Sequence, residues 1–451
     1  MAQYTFKPRE LDMDDSWDVI VVGGGPAGCT AAASAAREGA RTLLIEATGI
    51  LGGMGTSALV PAWCPFTDKQ KIIYRGMGET ILKKCIAGMP HVAEDQFNWT
   101  PIDAEQLKRI YDDLVTDAGV TVMFHSVLSA VDVDDQGNVQ AIIISSKAGL
   151  TAYKAKVYVD CSGDADLAAW AGAEFQKGDE QTGEMQPGTH CFLLTNVDMY
   201  HHNHGPWLHG SNQNSPVHKM AADPEFDLII DAHACNNIVG PGTIGFNAGH
   251  VWGVDNTDPF SLSKGLMQGR RFADQFQRAL VKHHPKAYAG SFLVSTGSLL
   301  GIRETRRIIG DYILTRDDYI ARRSFPDEIA RNSYYLDVHL SKSEKDMAEP
   351  ELDKRCARYE PGESHGIPYR CLTPKGLKNV LIAGRCISAD RAVQGSTRVM
   401  PVCLVMGEAA GLAAAMAGQA QSIDTHAIDT NDLRSRLQAY GAYLPKVDDS
   451  Q

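Results

Sequence analysis

DVIVVGGGPAGCTAAASAAREGARTLLIE, residues 18–46, is the stretch on which the fold turns. Val19 to Val22 read as a buried strand, the glycines after them as a turn, the alanine-rich run as a helix, and Thr42 to Ile45 as a second strand. Inside that frame the spacing Gly23-x-Gly25-x-x-Gly28 has a mechanical meaning. Gly23 permits a tight turn, Gly25 lets backbone N–H groups approach a pyrophosphate, and Gly28 lets helix and strand lie close. Pro26 and Ala27 open the helix, whose N-terminus carries partial positive charge suited to phosphate. Glu46 closes the second strand eighteen residues after Gly28, where a carboxylate accepts from ribose hydroxyls and repels a 2′-phosphate. The bland alternative is a glycine-rich turn that binds nothing; the full strand–turn–helix–strand setting with its acid weighs against it.

The motif by itself does not separate FAD from NAD. Two later stretches do. ATGILGGMGTS (47–57) brings Gly53, Met54, Gly55 and Thr56 to the same strand ends as a second backbone segment. KAKVYVDCSGDADLAAWAG (154–172) repeats strand, small-residue turn and helix, with Ser162, Gly163 and Asp164 at the turn. A single nucleotide needs no second and third segment of this kind, whereas an extended FAD lying across the strand ends does. Between them, VTVMFHSVLSAVDVDDQGNVQAIIISS (120–146) reads as a β-meander turning at Asp135 to Asn138, with Val127 near its head as a further cofactor contact. The expected fold class is therefore α/β: a Rossmann-like FAD-binding domain, made of a parallel sheet with a β-meander.

Four blocks together resemble the FAD-dependent oxidoreductases related to the fumarate reductase and glutathione reductase flavoproteins. They are GGGPAG with Glu46, VDCSGDADLA (159–168), LGIRETRRIIGDYILT (300–315), and the long run IPYRCLTPKGLKNVLIAGRCISADRAVQGSTRVMPVCLVMGEAAGLAAA (367–415). The resemblance implies a bipartite FAD domain, residues 14–185 and 367–420, with an inserted α+β substrate or cap domain at 186–366 and a C-terminal tail at 421–451. It also implies cofactor contacts from Gly384, Arg385, Arg398, Val399 and Met400. The cysteine pair of the disulfide reductases is absent, which argues against thiol–disulfide chemistry. Ser162-Gly163-Asp164 stands where aromatic hydroxylases carry Asp-Gly, which argues against a monooxygenase. LGGMGTS lacks the histidine that carries a covalent flavin in succinate dehydrogenase relatives, so the FAD is expected to be non-covalent.

Flavin chemistry asks for positive charge beside the ring and for a group that moves a proton at the reacting carbon. Arg398, at the head of the last apolar helix, is a candidate for the first, since an arginine at a helix N-terminus opposes the macrodipole unless something else holds it there. In GIRETRR, Arg303 and Arg306 are candidates to orient a carboxylate or the flavin. The competing reading is a salt-bridge network with Glu304 and Asp311. In NSYYLDVHLS, alternating Leu336, Val338 and Leu340 predict a strand whose other face shows Asp337 and His339, and His339 is the candidate acid or base. HHNHGPWLH (201–209) crowds four histidines, but its Gly-Pro break denies them ligand spacing. It is read as a polar surface or lid loop, and no metal is expected. Residues 200–260 and 324–366 read as irregular, and a helix is expected from Ser261 to His283.

The 451 residues are 44% hydrophobic and 22% charged, with a net charge of −12 that disfavours nucleic acid as a partner. Ten cysteines without a C-x-x-C pair, and an N-terminus lacking the apolar core of a signal peptide, lead to a cytoplasmic expectation. The run from Val399 to Gly418 is long and apolar enough to span a bilayer, but Glu408 interrupts it and Gly407, Ala410, Gly411 and Ala414 give it a smooth face for packing on a sheet. It is read as a core helix, so no membrane is expected. The expected activity is hydride transfer between FAD and a small polar organic substrate, at a hydroxylated carbon or an activated C=C. The alternative is a flavoprotein whose FAD serves a structural, binding or electron-relay role. Homo-oligomerisation is compatible with the sequence.

Overall fold

Met13–Val22 forms the first strand (β1), and its last four residues are buried because both faces of the sheet are covered. Val19 and Val21 enter one hydrophobic core, Ile20 and Val22 the other, as the two-residue strand period requires. The computed structural model describes residue 4 and residues 10–347 and 358–446. After β1 come β2 (Thr42–Ile45), β3 (Thr121–Met123), β4 (Val127–Val133), β5 (Val139–Ser146), β6 (Gly149–Asp160), β7 (Phe175–Lys177) and β8 (Phe192–Thr195). They are followed by β9 (Ala234–Gly240), β10 (Thr243–Ala248), β11 (Phe292–Thr296), β12 (Arg306–Ile308), β13 (Glu328–Asn332), β14 (His365–Pro368) and β15 (Val380–Ile382).

The first layer is a parallel sheet in the order β3-β2-β1-β6-β15. The early part of β6 instead pairs antiparallel with β5, and β5 with β4, which is the expected meander. Val22 and Ile382 both register against Asp160, so Gly23, Cys161 and Ala383 leave the sheet side by side at one edge. This edge positions the site.

The first helix, Pro26–Arg37, and the closing helix, Met400–Gln419, cover one face. They touch each other more intimately than either touches the sheet. A Cβ built on Gly407 or Gly411 would overlap the carbonyl oxygens of Ala27 and Ala31 respectively, so the smooth face serves helix–helix contact rather than the expected contact with the sheet. Thr30 Oγ1 adds a bond to the Leu404 carbonyl, 2.8 Å. Met400–Gln419 is long and apolar enough to cross a membrane, and its apolar window is 94% buried inside the protein.

The second layer is an antiparallel sheet, β11-β8-β10-β9, backed by the helix Pro259–His283. Phe272 and Phe276 of that helix meet Phe192 of β8, which stacks on Phe246 of β10. Residues 200–260 are thus more regular than the sequence reading holds. They contain the hairpin β9–β10, turned at Pro241-Gly242 with Gly242 at φ +66°, and short helices at Met199–His204 and Pro216–Ala221. The stretch 324–366 likewise contains β13 and the start of β14, which pair with each other. Ile308 and Leu314 belong to the two cores of the first layer, and β12 pairs with β7, so this part of the chain packs with the first layer. The expected strand through Leu336 is absent: β13 ends at Asn332, and residues 333–341 run without a ladder partner. The tail folds back through the helix Thr430–Ala439, which buries Leu433 and Leu437; residues 447–451 lie outside the described residues.

Candidate active site

A cavity of about 660 Å³ opens at the common edge of β1, β6 and β15 and extends under the second layer. At one end lie Gly23, Gly25, Pro26, Ala27, Glu46, Gly53, Met54 and Val127. Gly23 stands at φ +96°, and a Cβ on it would come 2.5 Å from the Cys161 carbonyl. Gly28 packs beneath it, where a Cβ would overlap the Gly23 oxygen. Gly25 differs from both: a Cβ there meets nothing within 4 Å, because the residue faces the open cavity. The helix it caps begins with Pro26 and has no side-chain cap, so its N-terminal N–H groups are presented to the same space. Glu46 accepts from Gly24 N–H on Oε2 and from Thr48 N–H on Oε1, both 2.7 Å. One protein donor per oxygen holds the carboxylate in place and leaves lone pairs for ribose hydroxyls.

In the middle of the cavity are Ser162, Gly163, Asp164, Gly384 and Arg385. Arg385 Nη2 and Thr305 Oγ1 both donate to Asp164 Oδ1, at 2.7 and 2.6 Å, and Asn256 donates to Oδ2. Burial works to raise the Asp164 pKa, but Arg385 and Thr305 outweigh it and the carboxyl stays ionised below its usual range. Gly163, at φ +81°, keeps free the space that the Arg385 guanidinium occupies.

At the other end are Arg303, Arg398, Val399, Met400, Asp337 and His339. Arg398 caps the helix Arg391–Thr397, and its Nη2 donates to the Asp337 carbonyl at 2.8 Å and to Oδ2 at 3.1 Å. Arg303 is buried and donates to the Pro187 carbonyl and to Thr189 Oγ1, 2.6 and 2.9 Å. Burial and the neighbouring Arg398 bring its pKa down to about 10. Burial would raise Asp337, yet His339, Arg398 and Arg303 hold its carboxyl well below the carboxylate range. His339 is neutral, pushed down to about 3 by burial and by Arg303.

The paired phosphate-type turns, the anchored carboxylate and the cavity that joins them suit a dinucleotide, and the cationic far end suits a redox ring. A family comparison decides which: the FAD dependent oxidoreductase description matches residues 18–437. This chain belongs to that family. It is an FAD-dependent oxidoreductase. Among solved structures it is similar to a geranylgeranyl bacteriochlorophyll reductase-like protein from Thermoplasma acidophilum, with 14% identity, 95% of this chain and 82% of that one covered, and a TM-score of 0.40. It is similar also to the OxyS anhydrotetracycline hydroxylase from Streptomyces rimosus, with 12% identity, 94% and 65% covered, and a TM-score of 0.44. CabE, an aromatic hydroxylase from angucycline biosynthesis, matches with 12% identity, 94% and 68% covered, and a TM-score of 0.45.

Several residues expected in the oxidoreductase site lie elsewhere. Arg306 donates to the Asp164 carbonyl and to Asp166 Oδ1 from the outer side of the turn and does not line the cavity. Gly28, Gly55 and Thr56 support the cavity wall from behind: a Cβ on Gly55 would come 2.9 Å from Leu107, and Thr56 bonds the Leu51 carbonyl. The expected network around Glu304 exists, but its partners are Arg307 and Arg391, while Asp311 pairs with His426. Of the histidines in 201–209 only His209 reaches the cavity. His201 pairs with Asp198 and His202 with the Tyr288 hydroxyl.

The sequence reading missed His233 and His250. They flank the hairpin β9–β10, whose register pairs Ala234 with Ala248 and sets His233 opposite Gly249, one residue from His250, so that the two rings stack with centroids 4.4 Å apart. Asp231 Oδ2 binds His250 Nδ1 at 2.6 Å, and His250 Nε2 is 2.9 Å from His339 Nδ1. A turn read at Pro241-Gly242 would have revealed this pairing.

Proposed function

We propose that this flavoprotein oxidises a hydroxylated carbon, or reduces an activated C=C, in a small polar substrate that bears a negative or strongly polar group. The observation behind the proposal is that Arg303, Arg398 and His339 meet at one end of the cavity whose other end is shaped for nucleotide. FAD, when bound without a covalent link, supplies the hydride acceptor or donor. Gly25 and the uncapped helix N-terminus receive its phosphates, and Glu46 receives ribose. Arg303 and Arg398 draw in the anionic part of the substrate, while the surrounding burial excludes water. His339, neutral and beside the Asp337 carboxylate at 3.5 Å, takes or returns the proton. We also read residues 188–301 as the cap, because bridges Gly188–Val251 and Thr189–Gly301 close that segment on itself. A panel of sugars, hydroxy acids and enoates under anaerobic conditions tests the reaction class. A hydroxy compound should bleach the oxidised flavin, or an enoate should restore the colour of the photoreduced one. If no member of the panel does either, this substrate class is wrong.

A further inference from the structure

We propose that His233, His250 and His339 form a binding site for one divalent transition-metal ion of the zinc or iron(II) class, at the substrate end of the cavity, where His233 and His339 line the wall and His250 stands behind His339. One ring nitrogen from each residue lies within 4.8 Å of the other two. Two imidazole nitrogens on one ion, each at about 2.0–2.1 Å and roughly 90–110° apart, stand about 2.9–3.4 Å from each other. His250 Nε2 and His339 Nδ1 are 2.9 Å apart.

The outer contacts explain why a cation belongs there. His250 turns its Nδ1 to Asp231 at 2.6 Å, and His339 turns its Nε2 to Asp337 at 3.5 Å. A histidine that gives its ring proton to a carboxylate presents a lone pair from its other nitrogen, the arrangement found behind most metal-bound imidazoles. Without an ion a single proton joins His250 Nε2 and His339 Nδ1 in a hydrogen bond, and a divalent cation that displaces this proton is met by a lone pair from each ring. The third ring supplies an independent sign: His233 Nε2 is buried, and no hydrogen-bond partner reaches it among the described residues. Its ring stacks on His250 with centroids 4.4 Å apart and stands edge-on to His339 at 5.3 Å. Burial also keeps His233 and His339 neutral, the form that binds metal.

Charge sets the kind of ligand that completes the sphere. Asp231 and Asp337 balance Arg303 and Arg398, so the ion's own charge remains to be met. An anionic oxygen, either hydroxide or a substrate alkoxide or carboxylate, fills the open position. With an ion bound, that oxygen ligand takes over proton transfer from His339. The flavin-dependent reaction proposed above is compatible with either arrangement, and metal binding is read without any substrate.

The experiment is equilibrium dialysis of EDTA-treated, FAD-loaded protein against cobalt(II) chloride, followed by its visible d–d absorption and by competition with zinc chloride. One cobalt per chain is expected, displaced by zinc. His233→Gln and His250→Gln should each weaken binding at least roughly tenfold while keeping the flavin, and a His201→Ala/His204→Ala double variant should leave it unchanged. Absence of binding by the wild-type holoprotein overturns the proposal. So does binding that survives both glutamine variants or disappears in the double variant. If the glutamine variants lose FAD, His233→Asn and the circular dichroism of the variant replace them as the readout.

Discussion

Gly28 lies so close beneath Gly23 that a single methyl group on it would overlap the Gly23 carbonyl oxygen, whereas a methyl on Gly25 would touch nothing. Two glycines of one motif therefore do different work, and the difference can be measured. Gly28→Ala forces the first helix away from β1 and should yield insoluble or flavin-free protein. Gly25→Ala should fold with an unchanged circular dichroism spectrum. Its methyl projects into the space where phosphate must approach, so its FAD dissociation constant should rise by roughly tenfold or more, about 1.4 kcal/mol. Equal FAD affinity in Gly25→Ala and wild type would refute the placement of the phosphates.

Arg398 holds Asp337 through two bonds from one nitrogen and is the cation at the head of the closing helix. Arg398→Ala should weaken FAD binding or slow anaerobic photoreduction by roughly tenfold or more, in line with the loss of one charge-stabilising donor. Arg398→Lys keeps the charge and should recover part of the rate. Unchanged binding and reduction in the alanine variant would show that Arg398 acts on Asp337 and the substrate and not on the flavin.

The nucleotide end was legible because its rules are local. Gly23, Gly25, Gly28 and Glu46 lie within a single βαβ unit, where spacing along the chain is nearly spacing in space. The substrate end is assembled from β9–β10, the unladdered segment around Asp337 and the head of the closing helix. Its histidines stand 89 residues apart along the chain at His250 and His339. No periodicity connects such residues. Only the hairpin register offered a clue, and a strand reading of 333–341 pointed away from it because alternation of Leu336, Val338 and Leu340 is produced equally by an extended segment that pairs with nothing. Arg306 shows the opposite limit: the type and neighbourhood were right for anion binding, but β12 turns it outward against Asp166.

Glu408 is buried in the closing helix, where its Oε1 pairs with Arg37 at 3.1 Å and its Oε2 accepts from Met77 N–H at 2.9 Å. Glu408→Ala removes both and strands a backbone donor. Arg37 is partly exposed and can reach water, so the cost should sit near the low end for a broken buried pair, about 2–3 kcal/mol. Glu408→Gln keeps an acceptor for Met77 and should lose about half of that. Urea unfolding of the two variants checks the order, and a more stable alanine variant would contradict it.

His365 gives the acid limb of stability a single testable source. It is fully buried, its Nδ1 is 2.8 Å from the Tyr359 hydroxyl, and burial with Arg331 nearby pushes its pKa down to about 3. The unfolded chain titrates this residue near 6.5. Between about pH 6.5 and pH 3 the unfolded state therefore binds more protons than the folded state, and stability falls as the pH falls. At pH 5 the contribution amounts to about 2 kcal/mol lost relative to neutral pH. His365→Asn should be less stable at pH 7, having lost packing in a filled site, but its further loss on going to pH 5 should be smaller than that of wild type by about 2 kcal/mol. Urea unfolding of both proteins at the two pH values makes the comparison, and parallel losses would mean that His365 is not held neutral in the folded protein.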